Sequence, residues 1–436
     1  MSELLTVFWF RRDLRLDDNH GFHQALQSGN QVLPIFIFDP EILEQLPKDD
    51  ARVSFIHESL QKMRTTLQKE HQSSLGIYHD PPLEVFKDLL RTYKIKAVFT
   101  NQDYEPYAQK RDAEVEEFLN QHGVSLKTFK DQVIFEKKEV NKSDGTPYTV
   151  YTPYMKKWKE TFKPELHLQI NNSQPYLRNL LQETDLPNCS LSDIGFEKSP
   201  ISVPEFDVSP NLIQNYEDTR NYPAIRKGTS KLGVHLRFGT VSIRKIVKKA
   251  IAEENDVFWK ELIWREFFMQ ILWHFPHTVN HAFKPKYDRI RWRNNEDEFE
   301  KWKNGSTGYA LVDAGMRELN ATGYMHNRVR MLVASFLCKH LLIDWRWGEA
   351  YFAEKLLDYE MASNVGNWQW AAGSGVDAAP YFRIFNPMTQ LEKFDPKKGY
   401  IQKWIPDLQE FSYPSKMVDH KFARERCLNT YKEALT

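Results

Sequence analysis

The sequence is short of cysteine, of long apolar runs and of an excess of charge of either sign. Its three cysteines, Cys189, Cys338 and Cys427, lie far apart, which excludes a disulfide framework, a four-cysteine zinc site and an ordinary iron–sulfur site. No apolar run approaches the roughly 20 residues that span a bilayer. Basic and acidic side chains both number 59, so net charge gives no argument for nucleic acid, although a single basic face would suffice for it.

The chain of 436 residues is 41% hydrophobic and 27% charged, which is typical of a soluble globular enzyme with two domains. The N-terminal MSELLTVFWF is followed directly by RRDLRLDD and is expected to be a first strand and not a signal peptide. Because few cysteines are present, a reducing cytoplasm is the expected location.

Residues 1–130 alternate strand and helix patterns, which predicts an α/β domain with a parallel, Rossmann-like sheet. The turn after the first strand contains neither GxGxxG nor a Walker lysine, so no dinucleotide or triphosphate cradle is expected there. The strand patterns are 4–10, 32–38, 75–79 and 97–101, and the helical patterns are 50–71, 82–95 and 107–122.

Beyond residue 130 the alternation stops. Turn clusters and prolines fill 131–205, which predicts an irregular connector with one short helix near YTPYMKKWKETF. Residues 206–436 carry helical patterns alone, so an all-helical domain is predicted, with Asp256 as a candidate N-cap. The predicted helices of this domain are 240–254, 256–273, 308–319, 326–341 and 347–357.

The stretch 323–370 contains four of the twelve tryptophans together with polar residues that a helical core does not need. Clustered indoles suit a large aromatic ligand or a redox relay, or they fill a large core. If Trp292, Trp345 and Trp368 lie near one another, they can pass an electron stepwise between solvent and the core.

Three shorter patterns also carry polar chemistry, and each also has a structural interpretation. In RKGTSKLGVHLRFGTVSIRKIVKK (226–249), Thr229 and Ser230 precede a helical turn that can bind a diphosphate, or the segment is a pair of capped surface helices with a solvated basic face. In FWKELIWREFF, the Glu261 carboxylate can hydrogen-bond the edge of a flat heterocycle that stacks on the Trp264 indole. Alternatively, Glu261 forms an ion pair with the nearby Arg265. In HNRVRM, the asparagine, arginine and methionine can contact a base, a phosphate and a ring, or they belong to an ordinary amphipathic helix.

Several long blocks resemble the photolyase/cryptochrome family, with cyclobutane-dimer DNA photolyases of class I as the nearest group. The blocks include VFWFRRDLRLDDN, TSKLGVHLRFG, ELIWREFF, the stretch from TGYALVDAGM to WGEAYF, and NWQWAAGSGVDAAPYFRIFNPMTQLEKFDP. The resemblance covers nearly the whole chain. It implies an antenna domain (1–130), a connector (131–205) and a helical domain (206–436) that binds FAD.

The resemblance also implies roles for individual residues, and Asn364 is expected to face flavin N5. The implied FAD-binding residues are Tyr216, Thr229, Ser230, Lys231, Leu232, Gly233, Arg265, Arg330, Asp358, Glu360 and Asn364. The implied electron-transfer chain is Trp368, Trp345 and Trp292, from the flavin outward. The implied catalytic residues are Glu261, Asn327, Met331 and Asn364, and the implied DNA contacts are Arg220, Glu261, Trp264, Arg265, Asn327, Arg328, Trp370 and Arg383.

Within the family, three choices point to light-driven repair of cyclobutane pyrimidine dimers by electron transfer from excited reduced FAD. Asn327 and Met331 stand where (6-4) photolyases and animal cryptochromes carry histidines. Asn364 stands where plant cryptochromes tend to carry an acid. The sequence ends at Thr436 without a long polar tail, which also favours repair. The alternative is an FAD-binding blue-light receptor without repair activity.

Four departures from the family pattern concern cofactors and packing. Ala310 replaces a usual proline, Tyr324 a common tryptophan, and Glu360 a common aspartate near the cofactor. Tyr107 and Ala108 stand where folate-binding members carry Asn and Glu, so a folate antenna is disfavoured, and a deazaflavin, FMN or no antenna stays open. The expected partner is UV-damaged DNA. A monomer without a metal or membrane partner is expected.

Overall fold

A computed structural model describes residues 4–436, and packing groups the chain into two compact units. The first unit comprises the chain up to Glu139 together with Thr161–Phe206 and Leu232–Ala252. The second comprises Val140–Glu160, Asp207–Lys231 and Glu253–Thr436. Packing thus divides the predicted connector between the two units and groups a short later segment with the first. The domain boundaries at residues 130 and 205 stay a prediction.

The first unit is built on a parallel sheet of five strands, in the order β3-β2-β1-β4-β5, so the predicted α/β fold is confirmed. The strands are β1 Leu5–Phe10, β2 Gln31–Phe38, β3 Gly76–His79, β4 Ile95–Asn101 and β5 Ser125–Phe129. Strands β1 and β2 are buried along nearly their whole length, as expected for a sheet covered on both faces. Strand β5 escaped prediction because this edge strand, SLKTF, is largely exposed and has no apolar alternation.

The helices of this unit surround the sheet. The α-helices are α1 His20–Leu26, α2 Pro40–Leu43, α3 Ala51–His71, α4 Pro82–Thr92, α5 Pro106–Gln121, α7 Pro164–His167, α10 Gly233–Arg237 and α11 Ile243–Ala250. A 3₁₀ turn covers Gln174–Asn179. The three long helices agree with the sequence patterns, because each buries one apolar stripe and begins at a proline or at the carboxylate of Asp50.

Charged side chains of the first unit pair with one another around the end of β1. Arg15 donates to the Asp131 carboxylate at 2.6 Å. Arg244 donates to the same carboxylate at 2.8 Å and to Asp18 at 3.0 Å. Arg12 joins Asp103 at 3.1 Å. These charged groups therefore pair with one another inside the first unit, although Nε of Arg15 is buried without a partner among the described residues.

The second unit consists of helices. Its α-helices are α6 Tyr151–Thr161 (the last residue packs with the first unit), α8 Pro210–Gln214, α9 Tyr216–Thr219, α12 Val257–His274, α13 Glu296–Lys303, α14 Ala310–Thr322, α15 Asn327–Ser335, α16 Trp345–Lys355, α17 Met361–Ala372, α18 Pro387–Phe394, α19 Gly399–Trp404 and α20 His420–Leu435. Two 3₁₀ turns cover Pro276–Val279 and Pro285–Arg289, and a π-helical turn covers Phe336–Leu341.

Two sequence interpretations need correction here. The segment predicted as one helix over 326–341 is α15 followed by the π-helical turn, which ends at Leu342 with a positive φ of 51°. Asp256 does stand at the N-cap of α12, but its side chain makes no capping hydrogen bond. It pairs instead with Lys159 at 2.8 Å and Lys260 at 2.7 Å, because two ammonium groups compete with the backbone for the carboxylate.

A large aromatic core fixes the helices that carry the candidate site. Trp302, Trp345 and Trp368 are all nearly fully buried within it. Helices α16 and α17 approach closely at Gly348, where a Cβ atom would lie 2.1 Å from the Trp368 ring. Only glycine permits this approach, so Gly348 sets how deeply the Trp368 indole sits between the two helices. Two members of the predicted tryptophan cluster, Trp345 and Trp368, thus belong to this core, and a role in electron transfer stays a prediction.

Candidate active site

The helical unit contains a cavity of about 90 Å³ with an exposed mouth and a buried floor. Eight of the residues singled out from the sequence line it: Asn327, Arg330, Met331, Asp358, Glu360, Asn364, Trp368 and Trp370. Helical spacing explains the convergence, because positions i, i+3 and i+4 share one face of α15 and positions i and i+4 share one face of α17. The patterns HNRVRM and NVGNWQW therefore face one space.

A partly buried ion pair forms one wall of the cavity. Arg330 donates to Asp358 at 2.9 Å and to the Met325 carbonyl at 2.7 Å. Burial by itself would lower the pKa of Arg330, but the Asp358 carboxylate holds this pKa above its usual value. The second carboxylate oxygen, Oδ1 of Asp358, is buried and has no hydrogen-bond partner within residues 4–436. This wall therefore offers an acceptor to a bound group.

Asn364 is oriented by a residue that the sequence reasoning missed. Its amide nitrogen donates to the Glu349 carboxylate at 2.8 Å and to the Glu349 carbonyl at 3.1 Å. Burial raises the pKa of Glu349. Since both amide hydrogens are taken, the Asn364 carbonyl oxygen is the polar atom left for a ligand. No sequence pattern singled out Glu349, because its partner is fifteen residues away on another helix.

His326 caps the helix that carries Asn327. Its Nδ1 accepts from the Arg328 backbone N–H at 3.2 Å, so the proton of the neutral ring is on Nε2. That Nε2 is buried and has no partner among the described residues. Burial and nearby cations, first of them Lys231, lower the pKa of His326 to about 3, which keeps the ring neutral. An unused buried donor thus accompanies the unused acceptor of Asp358.

Glu261 and Trp264 share a face of α12, as predicted, but neither lines the cavity. Glu261 accepts from Arg220 at 2.6 Å, an arginine that lies outside the FWKELIWREFF segment. Trp264 stacks on Tyr151 with ring centroids 3.6 Å apart and planes 6° apart. Tyr151 was not predicted. It fixes the plane of the Trp264 indole and covers one of its faces.

The remaining arginines predicted to contact DNA differ in their burial and in the contacts that they make within the protein. Arg328 donates to the side-chain oxygen Oδ1 of Asn221 at 2.5 Å, and its guanidinium lies 4.4 Å from the Phe394 ring centroid. Burial and then Arg220 lower the pKa of Arg328. Arg265 is half-buried and Arg383 is exposed. Arg220 and Arg328 therefore form a basic pair near Glu261, while Arg383 stands apart on a loop tip.

The predicted phosphate loop is only partly brought together. Lys231 has a positive φ of 56° and lies 3.3 Å from the Tyr324 ring centroid. Burial lowers the pKa of Lys231 to about 8. Thr229 lies 3.4 Å from the Tyr324 hydroxyl, and Ser230 is buried beside them in sequence. Tyr216 lies on α9, with the Arg220 guanidinium 5.5 Å from its ring centroid.

The assignment of Leu232 and Gly233 to the phosphate loop stays a prediction, and packing groups both residues with the first unit. Further along the same segment, Ser242 stands at the start of α11, where it accepts from Lys245 N–H and donates to Asp18. That turn is a capped helix, as the alternative interpretation proposed.

The three tryptophans of the predicted relay pack into or against one core cluster, with Trp292 half-buried. The ring contacts of Trp368 are with Trp302 at 6.1 Å and Phe352 at 5.0 Å. Trp292 contacts Tyr431 at 6.1 Å. Trp302, which the sequence reasoning did not select, thus lies beside the innermost member. The order of electron transfer stays a prediction.

Tyr107 and Ala108, the positions relevant to an antenna, lie at the start of α5. The Tyr107 hydroxyl donates to the Asp39 carboxylate at 2.5 Å, and Ala108 is buried. Burial and this bond raise the pKa of Tyr107. A cavity of about 140 Å³, lined by both Tyr107 and Asp39, opens at the carboxyl end of β2 and β3, where open parallel sheets commonly bind ligands.

Two absences bear on the site. Among residues 4–436, no group of three or more His, Cys, Asp or Glu side chains is placed to hold a metal ion. None of the helices that the structure describes is long and apolar enough to cross a membrane.

Comparisons with known proteins agree with this architecture. The model "FAD binding domain of DNA photolyase" matches residues 258–412, and "DNA photolyase" matches residues 6–172. A deoxyribodipyrimidine photo-lyase of Halobacterium salinarum is 35% identical, covering 99% of this chain and 99% of its own. A bacterial class III photolyase from Agrobacterium tumefaciens has a TM-score of 0.88 at 32% identity, covering 100% of this chain and 98% of that chain. An archaeal photolyase from Sulfolobus tokodaii, solved with two FAD molecules, has a TM-score of 0.85 at 34% identity, covering 98% and 100%.

A parallel α/β unit and a helical unit with an open polar cavity define a flavoprotein of the photolyase type. The chain belongs to the photolyase/cryptochrome family, and it is an enzyme of that family with an FAD-binding domain.

Proposed function

We propose that this chain uses light and bound FAD to split cyclobutane pyrimidine dimers in DNA. The observation that carries the proposal is the cavity wall: Asn327 and Met331 line the same space as Trp370, Asn364 and the Arg330–Asp358 pair. Neither Asn327 nor Met331 is a histidine, and both lie toward the open side, where a flipped base would enter. Photo-lyase relatives over the full length of the chain support the same activity.

The cavity fits an isoalloxazine ring, whose edge alternates carbonyl oxygens and N–H groups. Asp358, which lines the cavity, has an unused buried acceptor in Oδ1, and leaving it unpaired costs roughly 1–3 kcal/mol. A ligand that satisfies such groups recovers that cost. When bound and reduced, FAD supplies a light-excited electron donor, and the chain's task is to hold and orient it.

Asn364 is the residue that we expect to read the flavin's N–H edge. Because Glu349 takes both amide hydrogens, Asn364 presents its oxygen and can only accept. An acceptor at this position favours a flavin that carries a hydrogen on N5, because N5 is the atom predicted to face Asn364. Glu349 acts through Asn364 and does not line the cavity.

Trp264 and Trp370 are the proposed stacking surfaces for a flipped dimer. Extruding the damaged pair costs a few kcal/mol, and stacking on an aromatic side chain returns roughly 1–3 kcal/mol per base. Tyr151 already covers one face of Trp264, and Phe268 lies 5.6 Å from it with ring planes 26° apart, so a base must stack on the part of the indole that these two rings leave uncovered. A ring held in this way loses little conformational entropy on binding.

Glu261 is the proposed contact for the dimer's base edge. Its side chain pairs with Arg220, and a carboxylate in this position can accept a hydrogen bond from thymine N3–H. If Arg220 turns to a DNA phosphate, as proposed, the carboxylate is released for the base. Phosphate binding and base reading would then be coupled through one ion pair.

The direct test is to illuminate photoreduced protein with dimer-containing DNA and to follow the recovery of thymine absorbance. We expect recovery that depends on light and on bound FAD. An FAD-loaded protein that binds the DNA but restores no absorbance would contradict repair and would leave the blue-light receptor in its place.

Replacing Glu261 by Gln is the matched test of base reading. Gln keeps the size but weakens acceptance from thymine N3–H, so we expect repair to fall at least several-fold while the FAD content is unchanged. Glu298→Gln, at an exposed pair with Arg293, is the control and should repair normally. Equal repair by Glu261→Gln and wild type would remove the proposed role.

For a second chromophore, we infer a deazaflavin or a flavin, or none, and not a folate. The position predicted to decide this, Ala108, is buried and apolar, and the Tyr107 hydroxyl is already bound to Asp39. The absorption spectrum of the purified protein distinguishes these outcomes, since a deazaflavin adds a band that FAD lacks. UV-damaged DNA as the partner and a monomeric state are parts of the same proposal.

A further inference from the structure

A lysine is buried in the helical unit where the proposed chemistry has no use for it. Lys339 lies in the π-helical turn Phe336–Leu341 and is only 1% exposed. Burying an ammonium group is costly unless it is well bonded, and a methionine would fill a similar volume without that cost. Such π-helical turns occur frequently at functional sites. The hydrogen bond that Lys339 makes therefore matters for more than packing.

The ammonium group of Lys339 donates to the backbone carbonyl of Arg383 at 2.9 Å. Arg383 and Phe382 form an exposed tip, and the Phe382 side chain is 61% exposed. The tip is a tight turn, since Arg383 N–H donates to the Pro380 carbonyl at 2.8 Å. A buried cation thus holds the backbone of one of the most exposed arginines near the site.

A second anchor holds the same loop without touching Arg383. Tyr381 stacks on Tyr431 of α20 with ring centroids 5.9 Å apart and planes 14° apart. The Tyr431 hydroxyl donates to the Ala372 carbonyl at 2.9 Å. The loop base is therefore fixed by an aromatic stack, and the tip by the charge-assisted bond from Lys339, which is the stronger kind of hydrogen bond.

We propose that Lys339 is a positioning residue for DNA binding: by fixing the carbonyl of Arg383, it holds the Phe382–Arg383 tip ready for a DNA phosphate. This inference rests on the proposed function, because it takes damaged DNA as the ligand. Without the bond, the tip gains freedom that it must lose again on binding, so the phosphate contact of Arg383 weakens. Lys339 itself is too deeply buried to touch DNA.

The test is a double-mutant cycle measured in the dark with FAD-loaded protein and dimer-containing duplex between 50 and 200 mM salt. We expect Lys339→Met to weaken binding about fivefold and to lower the salt slope by up to about one, the contribution of one phosphate contact. In an Arg383→Ala background, Lys339→Met should have no further effect. Additive losses in the double variant, or a Lys339→Met protein that binds like wild type, would overturn the inference.

Tyr431→Phe is the matched control. It removes the hydrogen bond from Tyr431 to the Ala372 carbonyl but keeps the ring on which Tyr381 stacks, and it leaves the Lys339–Arg383 bond intact. It should bind DNA like wild type. In repair assays, Lys339→Met should raise KM for dimer DNA and leave the saturating rate unchanged. A fall in the saturating rate with unchanged KM would indicate a disturbed flavin site and would contradict a role in positioning the tip.

Trypsin reports on the tip without DNA. Cleavage after Arg383, identified by fragment mass, should be faster in Lys339→Met than in wild type and unchanged in Tyr431→Phe. If Lys339→Met does not fold, Lys339→Gln replaces it in every assay, and normal cleavage and binding by that variant would overturn the inference. If the wild type does not repair dimers, the proposed function fails, whereas the trypsin result still decides whether Lys339 holds the tip.

Discussion

Two polar regions of this protein differ in how their buried charged and polar groups are paired. Around the end of β1, carboxylates and arginines satisfy one another: Asp131 receives Arg15 and Arg244, and Asp18 also receives Arg244. In the helical unit, the left-over buried atoms include Oδ1 of Asp358, which lines the cavity, and Nε2 of His326. The first region is a network of ion pairs in which Nε of Arg15 is left without a partner among the described residues, whereas in the second an unused acceptor lies at an open cavity.

Proton equilibria show the same difference. Burial would raise the pKa of Asp131, but Arg15 and Arg244 lower it below its usual value. In the helical unit, burial dominates: it raises the pKa of Glu349 and lowers the pKa of His326 to about 3. Ion pairing keeps the first network charged. In the second region, burial disfavours the charged forms of Glu349 and His326, while Arg330 stays charged beside Asp358.

The largest effect is expected from breaking the structural network. Arg244→Met would leave Asp18 without its arginine and Asp131 with Arg15 alone, and both carboxylates are nearly fully buried, so we expect a loss of about 3–5 kcal/mol in the free energy of unfolding. The FAD content of the protein that remains folded should be unchanged. Urea unfolding and flavin absorbance measure the two quantities, and a selective loss of FAD would erase the distinction between the regions.

Breaking the cavity's ion pair should affect the cofactor first. Asp358→Asn leaves Arg330 without its carboxylate, and we expect to lose about 2–3 kcal/mol, less than for a fully buried pair because these side chains are 16% and 24% exposed. FAD content should fall sharply, since the acceptor facing the cavity is also changed. Retention of FAD at the wild-type level would contradict the assignment of this wall.

Acid should destabilise the helical unit through its neutral histidines. His340 is buried, bonds His420 at 2.8 Å, and has a pKa lowered to about 3, chiefly by burial. The unfolded chain binds the proton below about pH 6.5, so stability from this group is lost as the pH falls from about 6.5 toward 3. The loss between pH 7 and pH 5 should approach about 2 kcal/mol.

His340→Gln tests this contribution, because it keeps hydrogen-bonding atoms but does not titrate. The fall in Tm between pH 7 and pH 5 should be smaller in the variant than in wild type. Lys245, which pairs with Asp17 on the surface, provides a control: Lys245→Gln should leave the pH dependence unchanged. An identical fall in all three proteins would exclude His340 as its source.

The smallest effect is expected within the aromatic core, where substitutions can distinguish tryptophans that transfer electrons from tryptophans that only pack. Trp292→Phe should slow flavin photoreduction about tenfold or more while sparing repair by chemically reduced enzyme. Trp302→Phe, beside Trp368, should slow photoreduction less if the predicted chain carries the current. Time-resolved flavin absorbance measures both, and a larger effect at Trp302 would redirect the relay through that residue.

The sequence predicted much of the fold and the residues of the cavity, and the failures have local causes. Helices with one clear apolar stripe, such as α3 and α4, were predicted to within a few residues. Helix α17 was not among the predicted helices, although it carries Asn364 and Trp368, because it is apolar on most of its surface and gives no clear period. The π-helical turn was invisible for a related reason: the pattern of 326–341 is continuous, and only packing decides where the hydrogen bonds shift.

The site shows the same division. Asn327, Arg330 and Met331 could be grouped from their spacing, since helical geometry alone puts them on one face. Glu349 and Tyr151 could not, because each acts on a residue far away in the chain, Asn364 and Trp264 respectively. The sequence predicts which side chains share a face of one helix, but it does not predict which side chains of different helices contact one another.

By itself, then, the sequence determined the alternation of strands and helices in one part of the chain, the helical character of the other, and the residue types that mark the family. The tertiary structure alone decided which polar groups neutralise one another and which stay unused beside a cavity. The physical reason is that local periodicity fixes which face a side chain occupies, whereas pairing depends on which faces meet when distant helices pack.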